Sequence, residues 1–117
     1  MLALLVTALT ARAGTDFKAG VGRTDITPPR GWRLAGEFNE RISTNTLSPL
    51  HARAITFQQG RERAAVVVCV LLDIDSDMAQ RARLRASQRS GIPYGHILIA
   101  ATRTPNGPLY HGAWRQH

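Results

Sequence analysis

The middle of the chain alternates between two apolar runs and one segment with helical character. The run Ala64–Leu72 is continuous and β-branched, which predicts a deeply buried strand. Asp77–Ser90 has helical periodicity and is followed by Gly91 and Pro93, residues that end helices. Ile97–Ala101 is a second short apolar run. The order strand, helix, strand predicts a parallel β-α-β unit, whose crossover is expected to be right-handed.

The predicted helix has recognisable ends and one narrow apolar face. Ser76 is expected to be its N-cap, and Asp75 and Asp77 suit the positive end of the helix dipole. An apolar stripe is predicted from three residues spaced by four: Met78, Ala82 and Ala86. The remaining positions include four arginines that are expected on a solvated face: Arg81, Arg83, Arg85 and Arg89.

Upstream of this unit, the pattern predicts two further strands. His51–Gln58 carries small or apolar side chains on both alternating faces, so we expect a strand that is covered on both sides. A polar turn follows and joins it to Ala64–Leu72 as a hairpin. Phe17–Thr27 is also strand-like, although Gly20 and Gly22 weaken it as a central strand. The predicted fold class is α/β: a mixed sheet with an antiparallel hairpin and one right-handed β-α-β unit.

The candidate site lies where the two parallel strands end. Because parallel strands end at the same edge of a sheet, we expect Asp73 and Asp75 to lie close to Thr102 and Arg103. The second strand runs into a polar loop that cannot continue the sheet, since it contains two prolines and an Asn-Gly turn pair. The loop consists of Thr102, Arg103, Thr104, Pro105, Asn106, Gly107 and Pro108.

A long irregular stretch, Gly31–Pro49, lies between the first strand and the hairpin. Such a segment in a compact domain is often functional, which favours a lid or a wall of the site. Trp32, Leu34 and Phe38 are isolated apolar residues in this stretch, and we expect them to pin it to the body of the domain.

Composition excludes several classes of function. The net charge is +7 and comes from arginine, since Lys18 is the only lysine. The arginines are scattered and have no accompanying aromatic stripe, so no nucleic-acid partner is predicted. Cys69 is the only cysteine, which excludes an intrachain disulfide, and its apolar surroundings favour a packing role. No segment reaches the ~20 apolar residues of a membrane-spanning helix.

The amino terminus has features of a secretion signal. An apolar run, Met1–Leu9, precedes the small-x-small triplet Ala11-Arg12-Ala13, but the charged start of a typical signal is missing. We predict that residues 1–13 are a signal peptide, with either a trimmed start or a misassigned start codon, and that residues 14–117 form the domain. The protein would then be secreted or periplasmic. The alternative is an amphipathic or buried first element.

Six short blocks occur in the order that is typical of one enzyme family. They are Ala19–Pro29, Leu34–Gly36, Ser48–Ala54, Ala65–Cys69, Gly91–Pro93 and Ile97–Thr102. Over about Phe17 to Pro108, the chain resembles the amino-terminal part of the neutral/alkaline non-lysosomal ceramidases, particularly the secreted bacterial members. The resemblance implies an incomplete part of a larger α/β catalytic domain. It also implies a zinc-dependent hydrolase that cleaves the N-acyl amide bond of ceramide-type sphingolipids into fatty acid and sphingoid base.

The chain departs from this family at the metal loop. The family pattern is Thr-His-Thr-His-Ser-Gly-Pro, in which the first histidine binds zinc and the second lines the active site. Arg103 and Pro105 stand at these two positions here. Arginine has no lone pair for a metal and proline has no side-chain donor, so we expect this chain to bind no zinc and to be inactive alone.

Two further departures concern the rest of the metal site. Val70 stands where the family commonly has an aspartate, and Asp73 follows at an odd offset, which reverses the face of a strand. The family's other ligands lie downstream of the last residue, in the carboxyl-terminal portion of the parent protein. His111 and His117 could be proposed as replacement ligands, but their spacing matches no recognised zinc motif.

Three hypotheses therefore follow from the sequence. The first is the amino-terminal piece of a ceramidase-like hydrolase, with a ceramide-type lipid as partner and contact with a membrane surface. The second is a non-catalytic module in which Arg103 holds a lipid phosphate or carboxylate. The third is a degenerate, truncated product without an independent role, whose incomplete sheet would expose an edge and apolar surface.

Overall fold

A computed structural model describes residues 16–110, and the structural statements below concern that range. The signal-peptide prediction and the two carboxyl-terminal histidines fall outside it. The elements in chain order are β1 (Phe17–Asp25), β2 (Arg33–Leu34), β3 (Arg41–Ile42), β4 (His51–Gln59), β5 (Glu62–Cys69), α1 (Ser76–Ser90), a 3-10 turn (Tyr94–His96) and β6 (Ile97–Ala101).

The main sheet has four strands in the order β1-β4-β5-β6, and β2 pairs with β3 in a separate small sheet. β4 is antiparallel to both β1 and β5, whereas β5 and β6 are parallel and are joined by α1. This arrangement confirms the predicted mixed α/β sheet with its antiparallel hairpin. β1 is an edge strand, as its glycines indicate.

The core is small and lies between α1 and the sheet. Ala65 and Ile97 are register partners on β5 and β6, and they pack with Ile92 in a buried cluster. Ala86 of α1 and Ile99 of β6 lie against this cluster. The core therefore joins the three parts of the predicted β-α-β unit.

β5 is shorter than the apolar run from which it was predicted. It ends at Cys69, whereas the run continues to Leu72. The backbone turns there, because the amide of Leu71 donates to the carbonyl oxygen of Cys69 at 2.8 Å. Val70 still donates to the His51 carbonyl oxygen of β4 at 3.0 Å, and Leu71 and Leu72 leave the sheet and begin the connection to α1.

The start of α1 corrects the predicted N-cap. Asp75 is the capping residue, with an extended backbone, and its carboxylate accepts a 2.7 Å hydrogen bond from the amide of Met78. Ser76, which was expected in that role, is the first helical residue. A carboxylate in this place also interacts favourably with the helix dipole. At the other end, Gly91 adopts the left-handed conformation (φ 71°) and closes the helix as predicted.

The inward face of α1 is rotated relative to the predicted stripe. Ala82 is exposed, so the prediction for this residue is wrong. Arg83, expected in solvent, is half-buried instead. Its guanidinium lies 4.1 Å from the centre of the Tyr94 ring and donates to the Tyr94 carbonyl oxygen at 3.1 Å. The 3-10 turn places the Tyr94 ring against α1. The helical periodicity of the sequence alone does not predict this contact.

The sheet face opposite α1 is open. Ile55 of β4 is 45% exposed and Arg53 is also exposed, so the prediction that this strand is covered on both sides is wrong for the described residues. Val21 on β1 and Leu98 on β6 share this face and are 87% and 60% exposed. Small or apolar residues on both faces of a strand favour burial of both faces. Within residues 16–110, however, only the sheet face that packs against α1 is covered, over β5 and β6.

Candidate functional site

The ends of the two parallel strands lie side by side. Cys69 and Ala101 are register partners at the carboxyl ends of β5 and β6. Beyond them, the amide of Thr102 donates to the Cys69 carbonyl oxygen at 3.0 Å, and the amide of Thr104 donates to the Leu71 carbonyl oxygen at 3.0 Å. The predicted site loop therefore leaves the sheet alongside the segment that leads to α1.

The site loop has a buried end and an exposed end. Gly107 and Pro108 are buried, and a side chain added at Gly107 would lie 3.4 Å from the Cα of Leu71. At the other end, the hydroxyl oxygens of Thr102 and Thr104 lie 2.6 Å apart and share a hydrogen bond. Arg103, between them, is exposed. The loop is therefore packed against the protein at Gly107 and Pro108, and it presents Arg103 to solvent near its other end.

The two candidate carboxylates serve the turn before α1. Asp75 caps the helix, as described above, and Asp73 accepts a 2.8 Å hydrogen bond from the amide of Ile74. The structure places both residues on the segment that runs beside the site loop. Neither of them lines the cleft described next.

A cleft of about 400 Å³ separates the site loop from the long irregular stretch that precedes β4. One wall consists of residues of the site loop, among them Thr104 and Asn106, and the other includes Leu34, Arg41 and Ser43. The irregular stretch thus occupies the place expected of a site wall. The cleft is open to solvent and has mixed polar and apolar walls, which suits a small amphipathic ligand.

Arg41 joins the two walls. Its Nη1 donates to Oδ1 of Asn106 at 2.8 Å, and its Nη2 donates to the carbonyl oxygens of Ala35 at 2.9 Å and of Pro105 at 3.2 Å. The carboxylate of Glu37 lies 3.7 Å from the same guanidinium. Sequence reasoning missed this residue, because nothing in its neighbourhood distinguishes it from the other scattered arginines.

Backbone and aromatic contacts support the same junction. The amide of Ala35 donates to the Gly107 carbonyl oxygen at 2.8 Å. Trp32 donates from Nε1 to the Leu109 carbonyl oxygen at 3.3 Å, and its ring meets that of Tyr110 edge-on at 5.7 Å. Trp32 therefore pins the irregular stretch as predicted. Phe38 does not, because its side chain is fully exposed.

Burial and hydrogen bonding shift the pKa values of three groups. Partial burial raises the pKa of the Cys69 thiol, which keeps it protonated and makes it a poor nucleophile or metal ligand at neutral pH. Burial likewise raises the pKa of Tyr110. Hydrogen bonds from Thr27 lower the pKa of Asp25, whose carboxylate caps the turn at the end of β1.

The described residues do not fit a zinc ion. A catalytic zinc site needs about three nitrogen, oxygen or sulfur ligands that converge on one point. Within residues 16–110, no group of three histidine, cysteine, aspartate or glutamate side chains has such an arrangement. The loop itself offers Arg103, which has no lone pair, and Pro105, which has no donor atom.

The fold and the position of the loop define an α/β scaffold with a candidate site at the carboxyl edge of its sheet. No family model matches the chain, and no curated protein matches its sequence. The solved structures that match its fold include two ceramidases. The neutral ceramidase from Pseudomonas aeruginosa matches with a TM-score of 0.73 and 22% identity, over 81% of this chain and 16% of that one. A ceramidase complexed with C2 matches with a TM-score of 0.68 and 19% identity over the same shares.

These comparisons establish a ceramidase-like fold, as the sequence blocks predict. The chain spans 16% of the length of the solved ceramidases that it matches. In the described part of the chain, no helix has the length and apolar character that a membrane crossing requires.

Proposed function

We propose that this chain is the amino-terminal region of a ceramidase-like amide hydrolase and contributes one edge of its active site. The substrate class is a ceramide-type sphingolipid, cleaved at the N-acyl amide bond. The observation that carries the proposal is the site loop at the carboxyl edge of a ceramidase-like sheet. Loops at this edge are where α/β sheets of this kind place their ligands.

We further propose that the chain does not hydrolyse the lipid alone. A zinc ion held at such a site would supply the activation of a water molecule for attack on the amide carbonyl. Arg103 and Pro105 occupy the two histidine positions of the zinc loop, so the ligands would have to come from the carboxyl-terminal portion of a longer parent. The proposed location is secreted or periplasmic, with residues 1–13 as signal peptide.

Zinc retention and lipid hydrolysis test this proposal together. After incubation with zinc and dialysis, the purified chain is expected to retain less than stoichiometric metal and to release no fatty acid from a fluorescent ceramide analogue. The variant Arg103→His/Pro105→His supplies two imidazoles and is expected to retain more zinc, still without hydrolysis, because a third ligand is missing. Stoichiometric zinc together with fatty-acid release from the unaltered chain would contradict the proposal.

The conformation of Arg103 favours a second candidate function. Its φ angle is 66°, and it is the only non-glycine residue with a positive φ among residues 16–110. This left-handed conformation costs roughly 1 kcal/mol for a residue with a Cβ atom. Its guanidinium has no hydrogen bond or ion pair with the described residues. An exposed arginine held in a strained turn suits the binding of a lipid phosphate or carboxylate.

Vesicle binding tests the second candidate. Arg103→Ala is expected to weaken binding to phosphatidylglycerol vesicles about fivefold, since one basic residue near an anionic surface contributes about 1 kcal/mol. The control Arg61→Ala removes the same charge from the turn between β4 and β5, at the opposite end of the sheet, and is expected to have a smaller effect. Unchanged binding of Arg103→Ala would rule out the second candidate.

A further inference from the structure

An apolar row crosses the whole open face of the main sheet. Val21, Ile55, Val66 and Leu98 are successive register partners on β1, β4, β5 and β6, so their side chains lie on one face. Val21, Ile55 and Leu98 are largely exposed, as given above. We call this surface, together with its flanking residues, the open sheet face. Exposed apolar patches that extend over several strands mark interaction sites in soluble proteins.

Aromatic and aliphatic residues extend the open sheet face on both sides of the row. Phe17 and Phe57 stack at 5.9 Å between ring centres, and Phe17 is 63% exposed. Val68, on the other side of the row, is 38% exposed. The patch is therefore broad enough for an element that lies across the strands.

Two arginines lie side by side next to this row. Arg23 of β1 and Arg53 of β4 are direct register partners, and both are exposed. Like charges in directly opposed positions destabilise a sheet. Within residues 16–110, neither guanidinium has an ion pair or a hydrogen bond to a carboxylate. The open sheet face thus combines apolar surface with two adjacent positive charges that lack a described counter-charge.

We propose that the open sheet face docks an acidic amphipathic helix that lies outside this sequence. Its apolar side would cover the Val21–Leu98 row, and its carboxylates would pair with Arg23 and Arg53. The opposite face of the same sheet already packs against an amphipathic helix, α1, over β5 and β6. The matched ceramidase structures are much longer than this chain, so this fold is part of a larger chain there.

Charge favours an acidic helix over two other partners for the open sheet face, a second copy of this chain and an anionic membrane. A second copy would bring another net charge of +7 to the same surface, which opposes self-association. Asp25 and Glu62 lie on this face at opposite ends of the strands, on either side of the Val21–Leu98 row. A flat anionic membrane would cover both carboxylates, whereas a single helix along the row lies between them. None of the named residues of the open sheet face lines the cleft, and the proposal does not depend on the proposed hydrolase function.

Binding of two designed peptides tests the proposal with the full 117-residue chain. One probe is a Leu/Glu amphipathic helix of about 18 residues, roughly 27 Å long, and the other is its Leu/Lys counterpart. Fluorescence anisotropy is expected to show saturable binding of the Leu/Glu peptide and weaker binding of the Leu/Lys peptide. Val21→Ser is expected to weaken the Leu/Glu affinity about fivefold, and Arg23→Gln about tenfold.

Matched controls come from the exposed side of α1. Leu84→Ser also replaces an exposed aliphatic residue by serine, and Arg85→Gln removes the same charge as Arg23→Gln. Both are expected to leave the affinity within about twofold. Circular dichroism establishes that each variant is folded. Absent binding of the Leu/Glu peptide, equal affinity for both peptides, or equal losses in the controls would each overturn the proposal. A dimer that Val21→Ser and Arg23→Gln abolish would also overturn the proposal. Binding to phosphatidylglycerol vesicles that the same two variants abolish, without any peptide binding, would overturn it as well.

Discussion

Replacing Gly36 by alanine is expected to lower the free energy of unfolding by about 3 kcal/mol, the largest effect of any change at the candidate site. Gly36 adopts a left-handed backbone (φ 95°), which disfavours any residue with a Cβ atom. The added carbon would also collide with the carbonyl oxygen of Pro105, and it would lie 2.8 Å from the Cα of that residue. These are backbone atoms, so no side-chain rotation relieves the overlap.

A second glycine separates the two causes of this loss. Gly31 has a similar backbone (φ 85°), but a Cβ atom there would meet nothing within 4 Å. Gly31→Ala should therefore show only the conformational cost, about 1–2 kcal/mol. Urea unfolding of both variants measures the difference. Equal losses at the two positions would show that the close approach of Gly36 to the site loop does not contribute to stability.

Removing the guanidinium of Arg41 is expected to destabilise the protein by about 2 kcal/mol. Arg41→Ala deletes two hydrogen bonds that connect the walls of the cleft, to Asn106 and Pro105, and a third, to Ala35, within the irregular stretch. Hydrogen bonds to charged groups contribute about 1.5–3 kcal/mol, and the partial exposure of this side chain reduces that amount. Urea unfolding measures the loss, and the amide chemical shifts of residues 104–108 report whether the loop has moved.

Two further variants define what Arg41 contributes. Arg41→Lys keeps the charge but lacks the planar fork that reaches several acceptors, so it should recover only part of the stability. Arg81→Ala removes an exposed arginine that pairs with Asp77 at 3.1 Å on α1, and its effect should stay below about 0.5 kcal/mol. If Arg41→Ala costs no more than Arg81→Ala, the guanidinium does not hold the two walls together.

Local patterns predicted the sheet and the placement of the loop well. The apolar runs and the helical segment indicate a β-α-β unit, and the parallel strands bring Thr102 and Thr104 beside Cys69 and Leu71. Element ends were less predictable. Asp75 rather than Ser76 caps α1, because both residue types are good N-caps and only the backbone geometry, extended at Asp75, selects between them.

The site loop shows most clearly what each level of description contributes. By itself, the sequence determined the order of strands and helix, the family resemblance, and the arginine and proline in place of two histidines. These depend on local periodicity and residue identity. Only the tertiary structure decided that Arg41 and Gly36 hold the loop and that one sheet face stays open in the described residues. These depend on contacts between distant positions, such as Arg41 and Asn106, which lie 65 residues apart.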